Sequence, residues 1–249
     1  MLNFLGRGAA FNPKEGNTSA FIIENENLFL IDCGESVFER LMASGILNTV
    51  SNISVFITHT HSDHIGSIGS LAMYSYFVKK QPLKIMVDES VEYLSNIEKI
   101  LEGFGCTTQM VSYINTRAVD NKFENFEKVR YVPTSHCDEL KSCGIMFDTK
   151  TGVVYYSGDT REMAPINNII NSQAPIDKIY VDANTADYPG AVHLSLKQLN
   201  ESIPQELRDR VYCMHFNNDD CIVQAQELGF QTVEVFGQQK GITKKLQKQ

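Results

Sequence analysis

The 249-residue chain has no run that approaches the roughly 18 consecutive apolar residues needed for a membrane-spanning helix. Its first residues, MLNFLGRGAA, lack the basic stretch followed by an apolar stretch that is typical of a secretion signal. Basic residues are not in excess either, since 22 Lys and Arg stand against 30 Asp and Glu and the net charge is −8. This balance argues against a general nucleic-acid or anionic-membrane surface. We therefore expect a cytoplasmic protein with no membrane partner.

The six cysteines form no C-x-x-C motif, and most of them lie in apolar or strand-like surroundings. Such cysteines are typical of reduced core thiols rather than of a disulfide framework. The chain also lacks repeats, low-complexity tracts and linkers rich in Pro, Gly or Ser. We therefore expect a single domain over residues 1–249, built from two similar halves, about 1–120 and 121–249.

Short β-branched or aromatic runs alternate with helical patterns along the chain. In the first half they predict strands at 19–24, 27–32, 54–59 and 84–88, and helices at 66–80 and 90–105. In the second half they predict strands at 128–136, 178–184, 210–216 and 232–236, a hairpin at 143–159, and helices at 195–203 and 221–230. Strand-rich halves followed by helices favour two packed sheets with helices outside.

His59, His61, Asp63 and His64 fall within six positions, between a predicted strand and a predicted helix. Side chains 59 and 61 point the same way if the segment is extended, while 63 and 64 enter the following helical turn. Imidazole and carboxylate groups are suitable ligands for zinc or a similar divalent ion. Surface histidines in a polar loop are the alternative, but this density of ligand types favours two metal positions at one loop.

Further candidate ligands also lie where predicted strands end. His136 and His215 close two such strands, while Asp32 and Asp159 end or follow two others. Polar residues at the ends of several strands converge on one edge of the sheets. His193 is the sixth histidine, so none is left for an ordinary surface or core role.

These residues resemble the metallo-β-lactamase superfamily, whose signature H-x-H-x-D-H matches HTHSDH, preceded by IDCG and followed by SGDT. The resemblance extends from about residue 5 to residue 236 and implies an α/β fold, a four-layer αββα sandwich. More narrowly, LGRGAAFNPKEGNTSAFII, IDCGE and YYSGDTRE are similar to the ribonuclease Z branch. His193 stands where that branch has a histidine that thioesterases and β-lactamases usually lack, which favours phosphodiester cleavage.

The resemblance implies two metal sites, most simply two Zn²⁺, with Mn²⁺ or another divalent ion as the alternative. One ion would be held by His59, His61 and His136, the other by Asp63, His64 and His215, with Asp159 bridging the two. A pair of ions about 3.5–4 Å apart activates water and stabilises charge on phosphoryl oxygens.

The resemblance also implies catalytic roles for three residues. Asp63 would orient the nucleophile, and His193 would protonate the leaving ribose oxygen or stabilise the phosphorane-like transition state. Asp182 replaces a glutamate of the family and would hold the His193 imidazole protonated and correctly turned, or else cap its strand end. Asp32 would accept an N–H from a ligand histidine.

Two departures from ribonuclease Z bear on the substrate. That family commonly inserts a long tRNA-gripping arm between the positions of His136 and Asp159, but here the interval is only 23 residues and a predicted hairpin fills it. Gly16 stands where the family commonly has an arginine that contacts phosphate, and the acidic chain would repel a large polyanion. Both features favour a small phosphodiester.

Compact, armless ribonuclease Z-like hydrolases include cyclic-nucleotide phosphodiesterases, among them the anti-Pycsar proteins of phages and bacteria, and the chain is similar to this group. The resemblance implies hydrolysis of 3′,5′-cyclic nucleotides, with tolerance for several bases, to nucleoside 5′-monophosphates. It also implies a homodimer. The predicted helix at 69–77 is apolar over much of its circumference, which favours contact with a partner subunit. A helix buried deeply within one chain would show the same pattern. The GRGAA segment and the Lys14/Asn17 loop would either line the pocket or form an ordinary turn. Tyr and Phe residues are numerous enough to stack on a base, but the sequence does not indicate which of them do so.

Three other functions stay open. The first is a tRNA 3′-processing endonuclease, which the missing arm and the acidity oppose. The second is a thioesterase, lactonase or β-lactam hydrolase, against which His193 argues. The third is a metal-binding interaction protein without catalysis, which the complete set of ligand positions opposes.

Overall fold

The computed structural model describes residues 2–89, 94–172 and 174–237. Their strands form two mixed sheets of six strands each. The first sheet contains, in spatial order, β1 (Asn3–Gly6), β2 (Ser19–Glu24), β3 (Asn27–Ile31), β4 (Asn52–Phe56), β5 (Leu83–Val87) and β6 (Val111–Asn115). The second contains β7 (Lys128–Thr134), β8 (Ser142–Asp148), β9 (Val153–Tyr156), β10 (Ile176–Asp182), β11 (Val211–Met214) and β12 (Gln231–Thr232).

The two sheets share one pairing pattern. In each sheet the first three strands pair antiparallel and the remaining neighbours pair parallel. Most residues of β2, β3 and β8 are buried, including successive residues that point to opposite faces. Because strands covered on both faces lose the alternation of polar and apolar residues, these segments are almost continuously apolar in sequence.

Helices cover the outer face of each sheet. The α-helices of the described residues are α1 (Val37–Ser44), α2 (Ser62–Ile65), α3 (Ile68–Phe77), α4 (Leu94–Gly103), α5 (Ala164–Asn171), α6 (Leu196–Ser202) and α7 (Asp219–Glu227), of which α2 is the short helix at the strand ends. Apolar residues of α1, α3 and α4 share a core with the first sheet, and those of α5, α6 and α7 share a core with the second. Two mixed sheets flanked by helices confirm the predicted sandwich.

Most predicted elements are present with shifted ends, and local signals explain the sharpest ends. Ser195 caps α6 in a capping box with Gln198, and the predicted turn at 149–152 separates β8 from β9. The last predicted strand is shorter than expected, since β12 has two residues and Val235 makes only an isolated bridge to Phe4. The predicted helix start at Ser90 lies outside the described residues.

Sequence patterns missed β1, β6, α1 and α5. The β6 strand is only half-buried and lies at the edge of its sheet, so it shows neither a continuous nor an alternating apolar run. Short elements of this kind are stabilised mainly by tertiary packing.

The topology brings several strand ends to one edge. Because β3 pairs parallel with β4, and β9, β10 and β11 also pair parallel, their carboxyl ends point the same way within each sheet. Asp32, His59, Asp159, Asp182 and His215 all follow or end these strands.

Among the described residues no helix has the length and apolarity to cross a membrane. The six cysteines, all within the described residues, form no disulfide, and five of them are buried.

Candidate active site

The HTHSDH segment follows β4 and enters the one-turn helix α2. His61 is the N-cap residue of α2, while Asp63 and His64 lie within the helix and are buried. The turn places the Nε2 atom of His59 2.9 Å from the Nδ1 atom of His61. The extended segment thus brings ring nitrogens of His59 and His61 together, and the helical turn that follows carries Asp63 and His64.

A first cluster consists of His59, His61 and His136. The His136 Nε2 atom lies 3.2 Å from His61 Nδ1, and one ring nitrogen of each residue lies within 4.8 Å of the others. Nitrogens bound to one tetrahedral zinc ion at 2.0–2.1 Å lie about 3.3 Å apart, so this spacing fits a shared ion. His136 Nδ1 donates to the Val192 carbonyl at 2.8 Å, which leaves its Nε2 lone pair directed at the cluster.

A second cluster consists of Asp63, His64, Asp159 and His215, all of them buried. The Nε2 atom of His64 lies 3.4 Å from an oxygen of each aspartate, and that of His215 lies 3.3 Å from Asp63 and 3.4 Å from Asp159. Asp159 Oδ2 is also 3.9 Å from His59 Nε2 and 3.8 Å from His136 Nε2. Asp159 thus lies between the two clusters.

The His64 ring shows why these residues fit a metal ion. Its Nδ1 atom donates to Asp32 at 2.8 Å, and Asp32 is held in turn by the backbone N–H and hydroxyl of Thr58 at 2.8 Å each. The His64 Nε2 atom points towards the two aspartates of this cluster, where it is buried and has no hydrogen-bond partner among the described residues. An unpartnered buried polar atom costs about 1–3 kcal/mol, which a bound cation would offset. Imidazole and carboxylate groups are borderline-to-hard ligands, so the residues present fit a divalent metal ion.

The charges of the site depend on close pairs of imidazoles and carboxylates. Burial disfavours the charged form of His215, but Asp159, Asp182 and Asp63 outweigh it and raise the pKa of His215 to about 10. Burial likewise opposes a charged His64, yet Asp159 and Asp32 raise its pKa well above the usual value. Burial lowers the pKa of His59 and of His136, so these two rings are neutral and free to act as ligands.

His193 and Asp182 form a pair at the edge of the second cluster. The His193 Nδ1 atom donates to Asp182 Oδ2 at 2.7 Å, and Asp182 is fully buried at the end of β10. Burial would lower the pKa of His193, but Asp182 raises it. The His193 side chain is 22% exposed, so a ligand in the site can reach the other edge of its ring. Asp182 is therefore a partner of His193 as well as a strand-end residue.

Backbone conformation contributes to the site in ways that sequence patterns do not show. Asp32 and His215 adopt positive φ values of 62° and 60°, which are uncommon for residues other than glycine. Gly158, directly before Asp159, has φ 59°, and a Cβ atom there would lie 2.7 Å from the Cys143 carbonyl oxygen. Strand ends that turn sharply aim these carboxylate and imidazole groups at one point.

Sequence reasoning missed Thr58 and the carbonyl of Val192, which orient Asp32 and His136 respectively. Thr58 carries a weak signal because it directly precedes His59. A backbone carbonyl carries none, since any residue type supplies one.

A cavity of about 570 Å³ opens over the metal ligands. It is lined by Ala9, Ala10, Phe11, Glu35, His61, Ser62, Asp63, His136, Asp159, Asn184, Val192, His193, His215 and Asn217. The GRGAA segment thus contributes Ala9 and Ala10, as expected. Lys14 instead pairs with Asp219, and Asn17 accepts the backbone N–H and hydroxyl of Ser36 at 2.8 and 2.9 Å.

The space beside Gly16 is filled by Arg40 of α1. A Cβ atom at Gly16, which has φ 69°, would lie 2.3 Å from the Arg40 guanidinium carbon. Arg40 donates to the Leu5 carbonyl at 2.9 Å. An arginine at position 16 would clash with this arrangement, so the glycine belongs to the local packing of α1 against the opening loop.

The fold and the site together define a metal-dependent hydrolase of the metallo-β-lactamase fold. The chain belongs to the Anti-Pycsar protein Apyc1 family, whose sequence model matches residues 1–238. A relative of that name from Bacillus phage 010DV004 is 30% identical over 251 residues, covering 92% of this chain and 94% of the relative. Another, from Bacillus phage BSP38, is 27% identical over 235 residues, covering 88% and 89%.

Solved structures show the same fold at lower sequence identity. A diphosphatase from the PhnP family has a TM-score of 0.67 at 18% identity, covering 94% of both chains. The short form of human tRNase Z has a TM-score of 0.64 at 20% identity, covering 94% of this chain and 96% of that one. These likenesses confirm the ribonuclease Z-like fold.

Proposed function

We propose that this chain is a two-metal phosphodiesterase that hydrolyses 3′,5′-cyclic nucleotides to nucleoside 5′-monophosphates and so disables cyclic-nucleotide immune signalling. The observation that carries the proposal is the 2.7 Å pair of His193 and Asp182 beside the metal ligands. Hydrolysis of a phosphodiester expels an alkoxide, a poor leaving group that requires a proton. An imidazolium held by a buried carboxylate, with its far edge open to the cavity, is suited to donate that proton.

The metal ligands divide into two sets joined by one carboxylate. His59, His61 and His136 would hold one divalent ion, and Asp63, His64 and His215 the other, with Asp159 in contact with both; zinc is our first choice. When bound, such ions supply Lewis-acid stabilisation of the phosphoryl oxygens and an activated water. The side chains themselves fix the position of the phosphodiester relative to His193.

We assign to Asp63 the role of orienting the attacking water. Its carboxylate belongs to the second ligand set and also lines the cavity. Burial would raise the pKa of Asp63, but the adjacent His215 and His64 imidazoles outweigh it and keep this pKa far below its usual range, so the group is an acceptor at neutral pH.

The size of the cavity supports a small substrate. Its volume of about 570 Å³ lies within the usual range for small-molecule sites. The interval between His136 and Asp159 contains β8 and β9 and has no room for a tRNA-binding arm. The net charge of −8 also disfavours a long polyanion. The names of the phage relatives support a role against cyclic-nucleotide immunity.

The proposal is tested by incubating metal-loaded protein with cyclic AMP, cyclic CMP, a cyclic dinucleotide, a precursor tRNA and a thioester, followed by chromatography. We expect cleavage of both cyclic mononucleotides to 5′-monophosphates. The metal ligands and His193 would act on the phosphodiester and its leaving oxygen, which every cyclic nucleotide has whatever its base. A 3′-monophosphate product would show that the substrate binds in the opposite orientation to the one proposed. Trimming of precursor tRNA without cyclic-nucleotide cleavage would overturn the proposed function.

A further inference from the structure

Phe11 is an aromatic side chain that the fold leaves in solvent. It is 98% exposed, more than any other large hydrophobic side chain among the described residues, of which Tyr188 is next at 61%. Single exposed apolar residues are common at protein surfaces. Phe11 differs because it lines the cavity that contains the metal ligands and His193.

The backbone that carries Phe11 is firmly held. The Ala9 N–H donates to the Phe216 carbonyl, and the Asn12 N–H donates back to Ala9, each at 3.0 Å, which closes a turn around Phe11. The Asn12 side-chain amide donates to the same Phe216 carbonyl at 3.0 Å. Phe216 directly follows the ligand His215, so the turn is attached to the strand end that forms the metal site. The backbone of Phe11 is thus held in a fixed position relative to the metal ligands.

From this arrangement we infer that Phe11 is the platform on which the nucleobase of the substrate stacks; the inference rests on the proposed function. A phosphodiester bound at the metal ligands places its ribose and base in the remainder of the cavity. Every base has a π-face, and stacking on an aromatic ring tolerates all of them. Phe11 would therefore strengthen binding of purine and pyrimidine nucleotides without reading base edges.

The absence of tryptophan from the chain allows a direct binding test. Phe11→Trp supplies a single tryptophan, which can be excited selectively over the tyrosines, and Phe236→Trp supplies a matched control at a half-exposed phenylalanine that lines a different cavity. Metal-loaded protein is titrated with 5′-AMP, 5′-CMP and, as the base-free probe, ribose 5-phosphate. We expect saturable quenching of the Phe11→Trp protein by both nucleotides, none by ribose 5-phosphate, and none in the Phe236→Trp protein. Calorimetric binding of 5′-AMP without quenching would overturn the stacking proposal.

Steady-state kinetics provide the second test. Phe11→Ala is expected to raise KM for cyclic AMP and cyclic CMP by about 5- to 150-fold with little change in kcat, because base stacking contributes to binding rather than to proton transfer. Phe11→Leu should recover part of the affinity through apolar contact, and Phe11→Trp should recover all of it. The Phe236→Ala protein serves as the control and should match the wild type.

The outcomes separate the two proposals. If the wild-type protein cleaves neither cyclic nucleotide, the proposed function fails and the stacking inference fails with it. If it cleaves both and Phe11→Ala matches the wild type, only the stacking inference fails. A Phe11→Ala protein that changes mass by light scattering and loses kcat as well as affinity would assign Phe11 to a contact between subunits instead.

Discussion

Among single residues, three imidazoles of the site are each oriented by a neighbour to which no metal-binding role is assigned. Asp32 holds His64 at 2.8 Å, the Val192 carbonyl holds His136 at 2.8 Å, and Asp182 holds His193 at 2.7 Å. Each bond is made by Nδ1 and leaves Nε2 facing the site. Partners of this kind fix the tautomer of the ring and increase its basicity. The chemistry of the site therefore depends on pairs of residues rather than on the imidazoles alone.

Substitutions of His193 and Asp159 should separate proton transfer from metal binding. His193→Ala is expected to retain about two metal ions per chain and to lower kcat by roughly 10²- to 10⁴-fold, the usual contribution of an acid–base group. Asp159→Ala should lose metal as well as activity, because Asp159 contacts both ligand sets. Elemental analysis of reloaded, desalted protein, together with kinetics on a cyclic nucleotide, measures both quantities.

A metal content below one ion per chain in the wild-type protein would contradict the two-site assignment. Loss of metal from His193→Ala would mean that His193, and not His215, is a ligand.

The pH dependence of metal binding follows from the imidazole pKa values. The pKa of His215 is raised from 6.5 to about 10 when no metal is bound, because the protonated ring pairs with the buried aspartates. The contribution of this pairing to folding stability is fully present below pH 6.5 and is lost as the pH rises through about 10. A metal ion must displace this proton, and its apparent affinity should therefore increase from pH 6.5 towards pH 10. Calorimetry at pH 7 in two buffers of different ionisation enthalpy should show proton release. Equal heats in the two buffers would contradict the prediction.

At the scale of elements, the turn after β9 aligns the bridging carboxylate. Gly158 has φ 59°, and its missing Cβ leaves room for the Cys143 carbonyl oxygen of β8. The Cys143 N–H donates to the Thr58 carbonyl at 2.9 Å, so β8 is connected to the segment that follows β4. Asp159 and the HTHSDH loop are thus positioned by strands of different sheets.

Gly158→Ala tests this element. The added Cβ would lie 2.7 Å from a backbone oxygen in a left-handed conformation, so we expect a loss of about 1–3 kcal/mol in the free energy of unfolding. We also expect weaker metal binding. Gly103→Ala is the matched control, because nothing lies within 4 Å of its Cβ position at the end of α4. Urea denaturation of both variants measures the difference, and equal stability would contradict the role given to Gly158.

For the whole molecule, the apolar helix from which a dimer was predicted, α3, is mainly a core helix. Ile68, Leu71 and Ala72 of α3 are fully buried within the chain, so the apolar circumference predicted from sequence is largely explained by the core. Phe77 and Val78 at its end remain more than half exposed. The dimer stays a prediction, with this end of α3 as the proposed contact.

Light scattering at micromolar concentration should give twice the mass of one chain. Phe77→Asp is expected to give monomers because a carboxylate cannot be buried unpaired in an apolar contact. Val223→Asp is the control, since Val223 is 53% exposed on α7 and lies outside the proposed contact. A monomeric wild-type protein would rule out the dimer.

The fold class, most of the strands and the set of candidate ligands could be predicted from the amino-acid sequence. This is possible because these signals are local: HTHSDH gathers its ligands within six positions, and buried strands are short apolar runs. The capping box at Ser195 and Gln198 is equally local, and it gives the start of α6 to within a residue.

Contacts between distant segments could not be predicted and are seen only in the folded chain. The Nδ1 bond from His136 to Val192 spans 56 positions, and the Arg40 guanidinium fills the space at Gly16 from another element. The exposure of Phe11 likewise depends on a turn held by Phe216, about 200 positions away. Such contacts are set by how the two sheets pack, and a single sequence shows the residues that can make them but not which of them meet.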